Sequence, residues 1–172
     1  RDEVNDIAKK LTDHKKKRNV YNVSPSISPD GGRIAYLTNN MSYFDIDLID
    51  AVTGKKIRTL IKGSRSLDFE ELKFLQPGIS WSPDSKKIVF AAKSGSSDAL
   101  YLVDVDTGEK EKIRFDLDGV FSAAWSPSGN QLAYVGYEKG ASDIYIYDIE
   151  SKQSVNLTSD VFSDSEPTWS PD

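Results

Sequence analysis

A four-residue motif recurs along this chain and constrains its fold more than any other feature. It reads Ile27-Ser28-Pro29-Asp30, then Trp81-Ser82-Pro83-Asp84, Trp125-Ser126-Pro127-Ser128 and Trp169-Ser170-Pro171-Asp172. Its prolines stand 54, 44 and 44 residues apart. Shortly after each of the first three prolines comes an apolar trio: Ile34-Ala35-Tyr36, Ile88-Val89-Phe90 and Leu132-Ala133-Tyr134. Each motif therefore reads as the end of one strand, a tight turn and the start of a second strand. Proline suits the turn because its φ is preset and it owes no hydrogen to a sheet ladder.

A third strand follows in each copy, Ile46 to Ile49, Leu100 to Val103 and Ile144 to Tyr147. It ends in an aspartate, Asp50, Asp104 or Asp148, each 21 residues after its proline. A turn with Thr53-Gly54, Thr107-Gly108 or Ser151-Lys152 leads to a short fourth strand, at 56–60, 111–115 and 154–158. Strands repeating with a period in the low forties are the signature of propeller blades. Their apolar runs suit sheets packed on both faces. The fold class expected is all-β, a β-propeller fragment. It has three complete four-stranded antiparallel blades plus flanking strands of two further blades.

The boundaries follow from the repeat. Residues 1–18 read as an outer strand of a preceding blade and a loop, on the likeness of Leu11-Thr12-Asp13 to the end of blade three. Blade one spans 19–78, blade two 79–120 and blade three 121–162, with 163–172 as the first strand of a following blade. Because the last motif copy stops before its second strand, the chain reads as a fragment of a longer propeller. Three blades do not close a ring, so self-association or association with missing blades is expected.

The spacing departs from the repeat in one place. The aspartate-to-proline interval is 33 residues after Asp50 but 23 after Asp104 and Asp148. The extra residues lie within 61–78, where Phe69, Leu72 and Leu75 recur every third residue behind Asp68. That pattern suggests a short helical turn. It reads either as a loop tucked on the rim or as a binding element.

Composition excludes several kinds of chemistry. The net charge of −5 disfavours a nucleic-acid surface. No cysteine is present, so disulfides and thiolate metal sites are excluded. No apolar run is long enough to span a bilayer as a helix, and no signal peptide is visible. A serine-hydrolase triad needs a base, yet the single histidine, His14, lies beside the basic run Lys15 to Arg18. That run could meet phosphate or an acidic lipid surface, or be a solvated loop. No Gly-x-Ser-x-Gly elbow occurs. Asp104 to Glu109 has a faint likeness to a calcium loop but lacks its spacing and reads as a turn. The equivalent Trp81, Trp125 and Trp169 read as packing residues, as do Tyr101, Tyr145 and Tyr147. No catalytic residue, metal site or cofactor is expected, and the chain is not expected to be an enzyme.

The repeat resembles that of the TolB-like propeller family, carried by Ile79-Ser-Trp-Ser-Pro-Asp-Ser-Lys-Lys-Ile-Val-Phe90 and Ser142-Asp-Ile-Tyr-Ile-Tyr-Asp148. Three positions depart from its pattern: Ile27 in place of tryptophan, Ser128 in place of aspartate, and Asp47 where Tyr101 and Tyr145 stand. The resemblance covers the chain from Val20 onward and implies a periplasmic or cell-envelope location and a protein or peptide partner. Two other roles carried by such repeats stay open: a substrate-gating propeller domain of a prolyl-oligopeptidase-type serine peptidase, and a structural component of an envelope assembly.

Binding is expected where lengths vary, in loops joining each fourth strand to the next blade and each second strand to its third. These carry Arg65, Asp68, Glu70 and Glu71, then Asp116 and Asp118, then Tyr137, and then Asp160, Asp164 and Glu166. The set is acidic, which favours a basic partner if that mouth binds one. Acidic loops that merely keep a sheet-rich protein soluble are the other reading.

Overall fold

A computed structural model describes residues 9–12, 21–40, 43–63, 71–72, 78–94 and 97–171. Its strands form three antiparallel sheets. Blade one comprises β1 (Asn22–Ile27), β2 (Arg33–Asn40), β3 (Tyr43–Asp50) and β4 (Lys56–Ile61), in that spatial order. In blade two, β5 (Glu71–Leu72) and β6 (Ser80–Trp81) both pair with β7 (Lys87–Ser94). Beyond β7 lie β8 (Ser97–Asp104) and β9 (Lys110–Arg114). Blade three is β10 (Gly119–Trp125), β11 (Gln131–Glu138), β12 (Ala141–Asp148) and β13 (Gln153–Asn156). No helix occurs among the described residues.

The motif builds the first turn through its serine. Ser28 Oγ donates to Asp30 Oδ1 at 2.5 Å and accepts the Arg33 N–H at 2.9 Å. Ser82 does the same with Asp84 and Lys87, at 2.6 and 2.8 Å. In the third copy Ser128 replaces the carboxylate and lies 3.0 Å from Ser126 Oγ. The second turn is capped by the aspartate ending each third strand. Asp50, Asp104 and Asp148 accept the N–H of Thr53, Thr107 and Ser151 at 2.6, 2.7 and 2.8 Å. Asp104 to Glu109 thus forms the same capped turn as the other two blades.

The blades pack through two apolar layers. Ala35, Leu37, Ile46 and Leu48 of blade one meet Ile88, Phe90, Tyr101 and Val103 of blade two. The other face of blade two, Val89, Ala91, Leu100 and Leu102, meets Val120, Leu132, Tyr134 and Tyr147 of blade three. Period-2 alternation puts successive residues on opposite faces, so each central strand of blade two serves two neighbours.

The first strands of blades one and three also carry a bulge. The register slips between Val23 and Ser26 and between Phe121 and Ala124. Ser24 and Ser122 have φ of 50° and 47° there, and Glu166, one blade period beyond Ser122, has 53°.

Three expectations change. Glu71–Leu72 form a strand, paired with Lys93 and Ala92, and not a helical turn; Phe69, Leu75 and Asp68 lie outside the described residues. Backbone pairing to β7 overrides the three-residue apolar spacing. Lys9–Thr12 make no strand pairing and lie across the second turn of blade one. Lys9 Nζ donates to Val52 O at 2.5 Å, and a Cβ at Gly54 would sit 2.7 Å from Leu11 O. Residues 163–171 likewise form no strand, since no second strand pairs with them among the described residues. They still take the place of one, because Trp169 Nε1 donates to Ala124 O at 3.0 Å, as Trp81 Nε1 does to Ser26 O.

Candidate functional site

The two ends of the blades differ in chemistry. At one end the motif turns and the capped turns of the same blade are joined by Ala51 N–H to Gly32 O, Val105 N–H to Lys86 O, and Ile149 N–H to Asn130 O, at 3.0, 2.9 and 2.9 Å. Blades one and two are tied together there. Arg33 Nη1 pairs with Asp106 at 2.9 Å, Arg33 Nη2 donates to Ser85 O at 2.6 Å, and Arg58 Nη1 donates to Asp106 O at 2.7 Å. Arg33, Arg58 and Asp106 are thereby occupied in holding the scaffold.

The opposite end carries the loops of variable length. Across blade three a ladder of backbone bonds gathers three of the candidate residues. Asp118 N–H donates to Tyr137 O at 2.9 Å. Tyr137 pairs with Ser142 across β11 and β12. Ser142 O accepts the Asp164 N–H at 2.7 Å, and Ser142 Oγ donates to Asp164 O at 2.8 Å. The order Asp118, Tyr137, Ser142, Asp164 runs across the end of the blade.

The other candidates flank this ladder. Asp116 is exposed two residues before Asp118. Asp160 Oδ1 accepts the Phe162 N–H at 2.7 Å, which closes a small turn just before Asp164. Glu166 is exposed at the bulge position. Glu71 enters through its backbone, opposite Lys93 at the same end of blade two. Arg65, Asp68 and Glu70 lie outside the described residues, as does the basic stretch from His14 to Arg18.

Carboxylates dominate this end of blade three. Asp118 Oδ2 accepts the Lys139 N–H at 3.0 Å. Lys139 Nζ pairs with Glu138 at 2.6 Å, and that hydrogen bond raises the lysine's pKa. Asp164 Oδ2 is buried with no hydrogen-bond partner. Among the described residues no group of three or more histidine, cysteine, aspartate or glutamate side chains is arranged to hold a metal ion.

Charge reasoning missed the aromatic residues. Four large aromatic side chains are exposed among the described residues: Tyr21, Tyr43, Tyr137 and Phe162. All four stand at the variable end. Tyr21 O accepts the Asn39 N–H near the end of β2, Tyr43 opens β3, Tyr137 nears the end of β11, and Phe162 lies in the loop leaving blade three. The repeat holds a signal for Phe162, because it falls 44 residues after Asp118, one full blade period.

Below this end, between blades two and three, a cavity of about 420 Å³ opens beside Phe115, Tyr134, Tyr145 and Tyr147. Phe115 packs on Tyr134 with ring centroids 4.4 Å apart, and Tyr134 stacks on Tyr145 at 5.3 Å. Burial raises the Tyr134 phenol well above its usual pKa, and Ser154 Oγ lies 2.7 Å from its oxygen. These rings hold the blades together, as Trp81, Tyr101 and Tyr147 do from buried positions. Trp125 and Trp169 are only partly buried.

Comparison with known proteins agrees with this architecture. Residues 74–172 match the TolB beta propeller domain. The chain belongs to that family. The TolB structure from Acinetobacter baumannii is 22% identical with a TM-score of 0.67, over 83% of this chain and 33% of that one. A TolB-type structure from Agrobacterium tumefaciens is 21% identical with a TM-score of 0.72, over 86% of this chain and 50% of that one. The β-propeller domain of the Trilobed protease from Pyrococcus furiosus is 19% identical with a TM-score of 0.58, over 80% of this chain and 43% of that one. This chain spans a third to a half of the TolB structures it matches. Among curated proteins no match is found.

Proposed function

We propose that this TolB-type propeller segment is a non-catalytic interaction module of the bacterial cell envelope. It binds a protein or peptide partner at the end of the blades that carries the variable loops. The observation that supports this most is the segregation of exposed aromatic side chains to that end, among carboxylates. Tyrosine and phenylalanine are enriched in protein interfaces, where they bury large area at little entropic cost. Scattered apolar residues on a surface are ordinary, and here they occur at both ends, but the exposed aromatic rings of the described residues all stand at one. The envelope location follows the TolB resemblance. The lack of a catalytic role rests on the sequence, whose one histidine is His14 and which has no cysteine.

Capture from an envelope extract tests the reading. Reversing Asp164 and Glu166 to lysine is expected to abolish capture of a protein that the unaltered chain retains. Reversing Glu109 and Glu150, exposed in the capped turns at the other end, is expected to leave it. Asp106 is unsuitable as the control because it holds Arg33. Equal loss from both pairs would overturn the assignment of the binding end. Covalent labelling of the chain by a fluorophosphonate would overturn its non-catalytic character.

A further inference from the structure

Three exposed apolar residues follow blade three, and the repeat separates them. Leu157 and Val161 are 59% and 87% exposed. One period earlier stand Ile113 and Leu117. Ile113 is 6% exposed under blade three. Leu117 packs beside the same blade, since a Cβ at Gly136 would come within 2.7 Å of its Cδ1. A following blade would therefore cover Leu157 and Val161. Phe162 is different. It is 72% exposed, and its counterpart Asp118 stays exposed even with blade three alongside. An apolar ring stands in water where the repeat places a carboxylate that a neighbouring blade leaves exposed.

We propose that Phe162 and Tyr137 anchor a docking surface for a basic protein segment, one that presents arginine or lysine side chains. This rests on the variable-loop end being the binding end. Asp164 follows Phe162 by two residues and is bonded to Ser142, the strand partner of Tyr137. Asp118 N–H is bonded to Tyr137 O, Asp160 Oδ1 accepts the Phe162 N–H, and Lys139, the cation of the hairpin, is held by Glu138. A guanidinium or ammonium resting on an aromatic face gains from the ring's quadrupole, and carboxylates around the ring strengthen the attraction. An acidic partner would meet like charge on every side. The rings supply apolar contact, and the carboxylates select its sign.

The probe is a fluorescein-labelled hexapeptide of alternating arginine and glycine, followed by anisotropy against the whole chain. Salt at about 0.15 M limits non-specific attraction to the acidic molecule, because screening then acts within roughly 8 Å. Binding is expected with the arginine peptide and not with its glutamate counterpart. Phe162→Ser should weaken it by about tenfold. Phe162→Tyr should retain it, and Val52→Ser, at an exposed residue of the opposite end, should leave it within about twofold. Equal binding of the glutamate peptide, undiminished binding by Phe162→Ser, loss with Phe162→Tyr, or an equal loss with Val52→Ser would each overturn the proposal. The two readings fail separately. If capture still depends on Asp164 and Glu166 while the arginine peptide does not bind, the basic segment falls and the binding end stands.

Discussion

Trp81 shows how a single side chain joins neighbouring blades. Its indole N–H donates to Ser26 O, and Trp169 repeats the bond on Ala124 O. Ser26 and Ala124 occupy the same repeat position, so the bond belongs to the period and not to one interface. Trp125 departs from it. Its indole donates to Gly129 O in its own turn, while its backbone N–H is taken by Ser80 Oγ at 2.9 Å. The turn aspartates carry a second residue-scale consequence. The Ser82 hydroxyl and then the Lys86 N–H hold the Asp84 carboxyl below its usual pKa. The Thr107 N–H does the same for Asp104. A carboxylate whose folded pKa is depressed stabilises the fold above its unfolded pKa. That contribution is lost as pH falls through the usual aspartate range, near about 3.9, and on through the lower folded value. The chain is expected to weaken on acidification through this window, and Asp84→Asn with Asp104→Asn should flatten that dependence. Urea unfolding at a series of pH values reads it directly. An acid profile unchanged by the two substitutions would contradict the assignment.

At the scale of the strand, the bulge near the start of β1 and of β10 is the feature that sequence does not display. Ser24, Ser122 and Glu166 adopt positive φ without being glycine. A β-branched residue fits that region badly, whereas glycine enters it freely. Ser122→Val should therefore cost about 1–3 kcal/mol, while Ser122→Gly should change stability by no more than about 1 kcal/mol. Urea midpoints check both, and equal midpoints would show that the bulge is not strained. The rest of the blade is far more legible. Third strands ending at Asp50, Asp104 and Asp148 follow from the alternating apolar run and the capping aspartate. Glu71–Leu72 is hidden because two residues carry no period, and only β7 makes them a strand. The binding end is readable as the place where loop lengths vary. Asp118, Tyr137 and Asp164 being joined by one ladder is not, since the bonds run through backbone groups of residues far apart in sequence. Phe162 escapes a search for charge and emerges only when the blades are superposed by their period.

The whole molecule is governed by the fact that a blade buries both faces. Leu100 and Leu102 of blade two are buried because blade three lies on them. Their counterparts Ile144 and Ile146 in blade three are only half-buried, and Val155 on the same sheet is exposed. Blade one's outward face is better protected. Leu11 and Thr12 lie over Ile34, Tyr36 and Ile49 beside a hollow of about 250 Å³. Asp47, standing where Tyr101 and Tyr145 stand, is neutralised by Lys56 at 2.7 Å and receives the Thr59 hydroxyl at 2.7 Å. The two end faces are therefore unequal, and association should run through blade three. Burying a leucine-sized side chain there contributes roughly 1.5–3 kcal/mol, so a few such residues suffice to drive it. Sedimentation of residues 1–172 is expected to show mass rising with concentration, and Leu157→Lys should return the chain to a monomer. Val52→Lys, on the capped-turn end, should leave the association intact. A chain that sediments as a compact monomer at every concentration would mean that the face of blade three is stable in water, against the burial its counterparts show in blade two.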